Sequence, residues 1–142
     1  MERREGGERG YRSLIAWQKS MDFAVRVLDL CDAIPVRTGA GVVSQLRRSI
    51  VSIPSNIAEG YDRPGPEQLV YLRHARGSLW EAATQLEILA RRGQLKAETL
   101  LALLQDADEI GRILHGYMAP RRRSLTCQPL SPSLTLPLAP AA

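Results

Sequence analysis

Cysteine and histidine are scarce in this chain of 142 residues, two of each. Cys31 and Cys127 lie far apart, with no CxxC or Cys/His ligand spacing, so neither a zinc site nor a disulfide framework is indicated. A reducing setting fits that usage. His74 and His115 fall on different segments without a carboxylate or cysteine at ligand spacing, which argues against a metal centre or a histidine-based catalytic site. They read as surface or interface histidines. Long apolar runs are also missing: nothing approaches the roughly 18 to 20 uncharged residues of a membrane span. The segment MERREGGERGYR is charged where a signal peptide is apolar. The expectation is a cytoplasmic protein with no membrane partner.

Other absences narrow the chemistry further. There is no Gly-rich phosphate loop after a strand, no nucleophile elbow, and no carboxylate and histidine set of the di-iron bundle type. Glu59 with Asp62, and Glu81 with Glu87, are the carboxylate pairs available for acid–base work, but helical surfaces carry such pairs routinely. The expectation is therefore no enzyme, no catalytic residue, no metal and no cofactor. Acidic residues are absent after Met118. The net charge of +4 owes three units to Arg121, Arg122 and Arg123, and the rest of the chain is nearly balanced. A basic total is then weak support for nucleic-acid binding by the folded body.

What is present is helical periodicity. Four segments carry apolar residues at alternating spacings of three and four. They are Leu14, Trp17, Met21, Ala24, Leu28 and Cys31; Val43, Leu46, Ile50, Ile53 and Ile57; Leu69, Leu72, Ala75, Leu79, Ala82, Leu86 and Leu89; and Leu100, Leu103, Ala107, Ile110, Leu114 and Tyr117. Pro35 ends the first, Gly60 caps the second, Pro66 suits the start of the third, Gly93 ends it, and Pro120 follows the fourth. The third is expected to be the longest. Short connections between long helices predict an all-α, antiparallel up-down-up-down four-helix bundle over residues 11–118. Residues 1–10 read as a disordered N-terminus. The Pro-rich segment 119–142 reads as a disordered tail.

The stretch QLRRSIVSIPSNIAEG, residues 45 to 60, carries more than a core stripe. Pro54 in its middle removes an intrahelical hydrogen bond at a cost of about 3 kcal/mol. Two readings follow. One is a kink or a restarted helix, with Ser52 or Ser55 satisfying the freed backbone groups; the other is a shaped subunit or ligand surface. Ser52, Asn56 and Glu59 line up on the face away from the core, and Gly77 and Glu81 do so on the third helix. These five are the candidate oligomer contacts. A midhelix glycine such as Gly77 implies the close approach of another helix.

At these residues the chain resembles the four-helix-bundle proteins encoded in intervening sequences of bacterial 23S ribosomal RNA genes. The similar elements are LIAWQKSMDFA from Leu14, SQLRRSIVSIPSNIAEG from Ser44 and GSLWEAATQLEILARRG from Gly77, covering residues 11 to 93. The resemblance implies a homopentameric ring with a role in binding nucleic acid. A distant branch of the same fold is the accessory variability determinant of diversity-generating retroelements, which works with a reverse transcriptase. The leading expectation is a non-enzymatic oligomer that binds RNA or DNA through Arg47, Arg48, Arg63, Arg73 and Arg76. The alternative is a protein-interaction scaffold or reverse-transcriptase accessory subunit, with the same arginines paired to acids across subunit contacts.

Overall fold

The computed structural model describes residues 10–126. A short 3-10 turn, Tyr11–Ser13, precedes four helices: α1 Ile15–Ala33, α2 Val36–Gly60, α3 Gly65–Arg91 and α4 Ala97–Thr126. No strand occurs among the described residues. Each helix packs on its neighbours in the order α1, α2, α3, α4 and back to α1, and the backbones of the diagonal pairs stay apart across the core. That is the antiparallel four-helix bundle. The α2–α3 seam is the most extensive of the four.

Local chemistry sets the helix boundaries. Pro35, extended at the N-cap, both ends α1 and opens α2, so α2 starts seven residues before the first apolar position expected for it, Val43. Pro64 is the N-cap of α3, where a missing N–H leaves nothing unsatisfied. Gly93 has φ 78° immediately beyond the Arg92 C-cap, and the Gln94 N–H donates back to the Leu89 carbonyl, a left-handed stop that glycine adopts without strain. Gly60 serves a different need. A Cβ there would lie 2.6 Å from the Tyr71 Cβ, so the end of α2 packs against the second turn of α3 at a distance that only a residue without a side chain allows.

Two expectations about helix extent are corrected. Helix α4, not α3, is the longest, because it passes through Pro120 to Thr126 where a disordered tail was expected from residue 119. Arg121 ties this extension down: its guanidinium donates to the Tyr117 carbonyl one turn back and to the Gln68 carboxamide of α3. The remainder of the expected tail lies outside the described residues, as do residues 1–9. Helix α2 likewise runs unbroken through Pro54 and does not restart there. Ser55 Oγ donates to the Val51 carbonyl at 2.7 Å, beside the position the proline leaves without a donor.

The core contains the expected stripes of α2, α3 and α4. Leu46, Ile50, Ile53, Ile57, Leu79, Leu86, Leu89 and Leu114 are wholly buried or within 1% of it. In α1 the inward seam is different. Ala16, Ser20, Phe23 and Val27 face the core together with Ala24 and Cys31 of the expected stripe, while Met21 is 37% exposed and Trp17 and Leu28 are only half-buried. Both seams of α1 are apolar, so spacing alone does not choose between them. The outer one lines a shallow apolar groove of about 320 Å³ against Val51, Pro54 and Ala58 of α2.

Candidate nucleic-acid interface

The five arginines singled out from the sequence do not share one surface. Successive residues on a helix point about 100° apart, and Arg47 and Arg48 accordingly enter different grooves. Arg47 lies on the α1–α2 side and donates to Asp32 Oδ1 at 2.6 Å, an ion pair that raises its already high pKa. Arg48 is exposed and lines the α2–α3 groove. Arg63, in the turn, is 3.8 Å from Glu67 and sits over the Tyr71 ring. Arg73 and Arg76 project from α3, and Arg76 reaches the α3–α4 groove.

The α2–α3 groove, about 290 Å³, is lined by Gln45, Arg48, Ser49, Ser52, Ser78, Glu81 and Gln85. Part of its polar lining is paired within the chain, whereas the buried Gln85 Oε1 has no partner. Ser78 Oγ donates to Ser52 Oγ at 2.9 Å, and Asn56 Nδ2 reaches both the Ser52 hydroxyl and the Ser52 carbonyl. Glu59 accepts a long hydrogen bond from the Tyr71 hydroxyl. Of the five candidate oligomer contacts, Ser52, Asn56 and Glu59 thus have partners inside the chain, and Glu81 is exposed. A Cβ at Gly77 would meet nothing within 4 Å, so no helix of this chain approaches closely there.

The α3–α4 groove has another character. Arg76, Trp80, Asp108, Gly111, Arg112, His115 and Gly116 line an open trough of about 710 Å³. Its charge follows from how α4 sorts its side chains. Asp106 and Glu109 turn toward α1, where Arg26 and Lys19 pair with them. Arg112 and His115 turn the other way, toward α3, joining Arg76. Asp108 is the one carboxylate among the lining residues, so cations outnumber acids there. Trp80 is 43% exposed and rests its six-membered ring against α4 at Gly111, where a Cβ would lie 2.9 Å from the ring. Sequence reading found Arg76 but missed the rest. Arg112, His115 and Trp80 all lie off the apolar stripes of their helices, and spacing alone does not say which groove such residues enter.

No cluster of three or more His, Cys, Asp or Glu side chains able to hold a metal occurs among the described residues. None of their helices is long and apolar enough to cross a membrane.

The fold and these grooves define a class: an all-helical bundle whose surface chemistry lies in clefts between adjacent helices. The family follows from comparison. A model of the 23S rRNA-intervening sequence proteins matches residues 12–116, and the chain belongs to that family. Among solved structures it is similar to a protein of unknown function from the S23 ribosomal protein family of Bacteroides thetaiotaomicron. That likeness is at 26% identity with a TM-score of 0.67, over 74% of this chain and 99% of the other. Comparison with curated proteins gives no match.

Proposed function

We propose that this chain is a non-enzymatic, self-associating bundle that binds nucleic acid electrostatically, with the α3–α4 groove as the contact surface. The observation that carries this reading is the sorting of charge on α4, with Asp106 and Glu109 paired toward α1 and Arg112 and His115 gathered with Arg76 toward α3 against the single carboxylate Asp108. Exposed guanidinium groups in an open trough suit phosphate oxygens. Arg73, exposed seven residues before Trp80, extends the same side of α3. Self-association supports the reading by repetition. A polyanion touching several copies gains effective concentration without any new kind of contact. The apolar outer seam, with Met21, Val25 and Val51 exposed beside Trp17 and Pro54, favours one subunit contact. Gly77 and Glu81 leave open polar surface for another.

Fluorescence anisotropy with labelled oligonucleotides over a range of salt concentrations tests the proposal. Log affinity should fall linearly with log salt, with a slope of about 0.9 per phosphate contact on duplex DNA and about 0.7 on single strands. Joint Arg76→Ala and Arg112→Ala substitution should weaken binding and flatten that slope. Joint Arg47→Ala and Arg48→Ala should do less, because Arg47 is already held by Asp32. A chain ending at Thr126 should retain most of the affinity. If that truncation abolishes binding while the Arg76 and Arg112 changes leave it intact, the segment beyond the bundle is the site and the groove is not.

A further inference from the structure

We propose that the α3–α4 groove selects single-stranded polynucleotide by stacking an unpaired base on Trp80, with Arg76 and Arg112 on the neighbouring phosphates. This inference rests on the electrostatic reading above and assigns that site its substrate class. Three features of Trp80 point the same way.

The first is exposure. Indole is largely apolar, yet this one lies midway along α3 with 43% of its surface in solvent. The second is fixation. Gly111 lets the tip of the ring approach the α4 backbone, and any larger residue there would push the indole outward. A ring held at one edge and open elsewhere has little orientational freedom left to lose on binding, which makes it a prepared platform. The third is that the platform is unused. Among the described residues the aromatic pairs are Tyr11 with Trp17 and Tyr71 with His74, and the cation–π contacts are those of Arg12 and Arg63 with tyrosines. Nothing of that kind covers Trp80.

The surroundings specify what would cover it. Arg76 is one turn from Trp80 on α3 and Arg112 is adjacent to Gly111 on α4; because the two helices run antiparallel, both cations lie beside the indole toward one end of the open trough, and Asp108 lies toward the other. Aromatic surface with positive charge beside it matches a base and its neighbouring phosphates on a polynucleotide strand. A duplex meets only half of it. Arginines can hold duplex phosphates, but paired bases are stacked on one another and do not present a face to a side chain. Discrimination between single and double strands therefore falls on Trp80, and overall electrostatic affinity falls on the arginines.

The test measures anisotropy with labelled oligo-uridine, oligo-deoxythymidine and a DNA duplex of equal length, for the wild-type chain, Trp80→Leu, Trp80→Phe and Arg76→Ala with Arg112→Ala. Trp80→Leu should lower single-strand affinity by roughly 5- to 150-fold, the worth of one base–aromatic stack, and leave duplex affinity and the salt slope unchanged. Trp80→Phe should restore much of the loss. In a Trp17→Phe background, where Trp80 is the remaining tryptophan, single strands should quench indole emission and duplex should not. Stacking by either single strand supports the proposal, and the tighter of the two identifies RNA or DNA as the source. If Trp80→Leu binds every probe like wild type while the double arginine variant loses affinity, the stacking proposal fails and the electrostatic reading stands. If the wild-type chain binds none of the probes, both fail. Circular dichroism on each variant separates lost binding from lost fold.

Discussion

Cys31 shows how one side chain's environment sets its chemistry. It is 2% exposed at the end of α1, and burial pushes its thiol above the ordinary value of 9.0; Arg47 opposes the rise and Asp32 adds to it. The folded thiol thus holds its proton at pH values where the unfolded chain has begun to release it. Stability contributed in this way is complete below the unfolded pKa and is lost as pH rises through the folded one. Thermal melts at increasing pH above about 9 should show a steeper fall for wild type than for Cys31→Ala. Parallel falls would mean that Cys31 is not the group responsible. In a Cys127→Ser background, a thiol reagent at neutral pH should react slowly with the native protein and rapidly in denaturant, since the thiolate is the reactive form.

Individual helices carry their stability on one stripe, and α3 gives the cleanest contrast. Leu79 is fully buried between neighbouring helices, so Leu79→Ala deletes packed methyl groups and leaves a cavity, at a cost of about 2 to 5 kcal/mol. Leu101 of α4 has the same chemistry but is 60% exposed, and Leu101→Ala should cost less than about 0.5 kcal/mol. Urea melts of the two variants check the pair; equal losses would contradict the assignment of the core. Much of this was legible beforehand. The stripes of α2, α3 and α4 and the stops at Pro35, Gly60 and Gly93 follow from spacing and from the backbone limits of proline and glycine. The α1 stripe was only partly legible, with Ala24 and Cys31 in the core and Trp17, Met21 and Leu28 at its outer edge. That helix is apolar on two adjacent seams, and periodicity reports a helical face without saying which neighbour covers it. The continuation of α4 was hidden as well, because the contacts of Arg121 with Gln68 and Tyr117 join residues whose proximity only the packed bundle creates.

At the scale of the whole molecule the grooves between adjacent helices differ in kind among the described residues, apolar between α1 and α2, polar between α2 and α3, and basic between α3 and α4, while the one between α1 and α4 is closed by ion pairs. The apolar groove should be covered in solution. Light scattering at micromolar concentration and moderate salt is expected to give the mass of a closed oligomer, and the family resemblance points to a pentamer. Val25→Glu together with Val51→Glu, both changes at exposed positions on that face, should lower the mass while leaving the helical spectrum intact. A monomeric mass for the wild-type chain would remove both self-association and the gain from repeated sites.

Sequence by itself determined the helices, their order and three of the four core stripes, because these depend on local periodicity and on the backbone geometry of proline and glycine. It also supplied the segments that place the chain in its family. Only the tertiary structure decided which polar and aromatic residues share a surface. Arg47 and Arg48 are neighbours in sequence and are separated by the turn of about 100° between successive helical residues. Arg76, Trp80, Arg112 and His115 lie on two consecutive helices, and antiparallel packing at a glycine brings them to one trough.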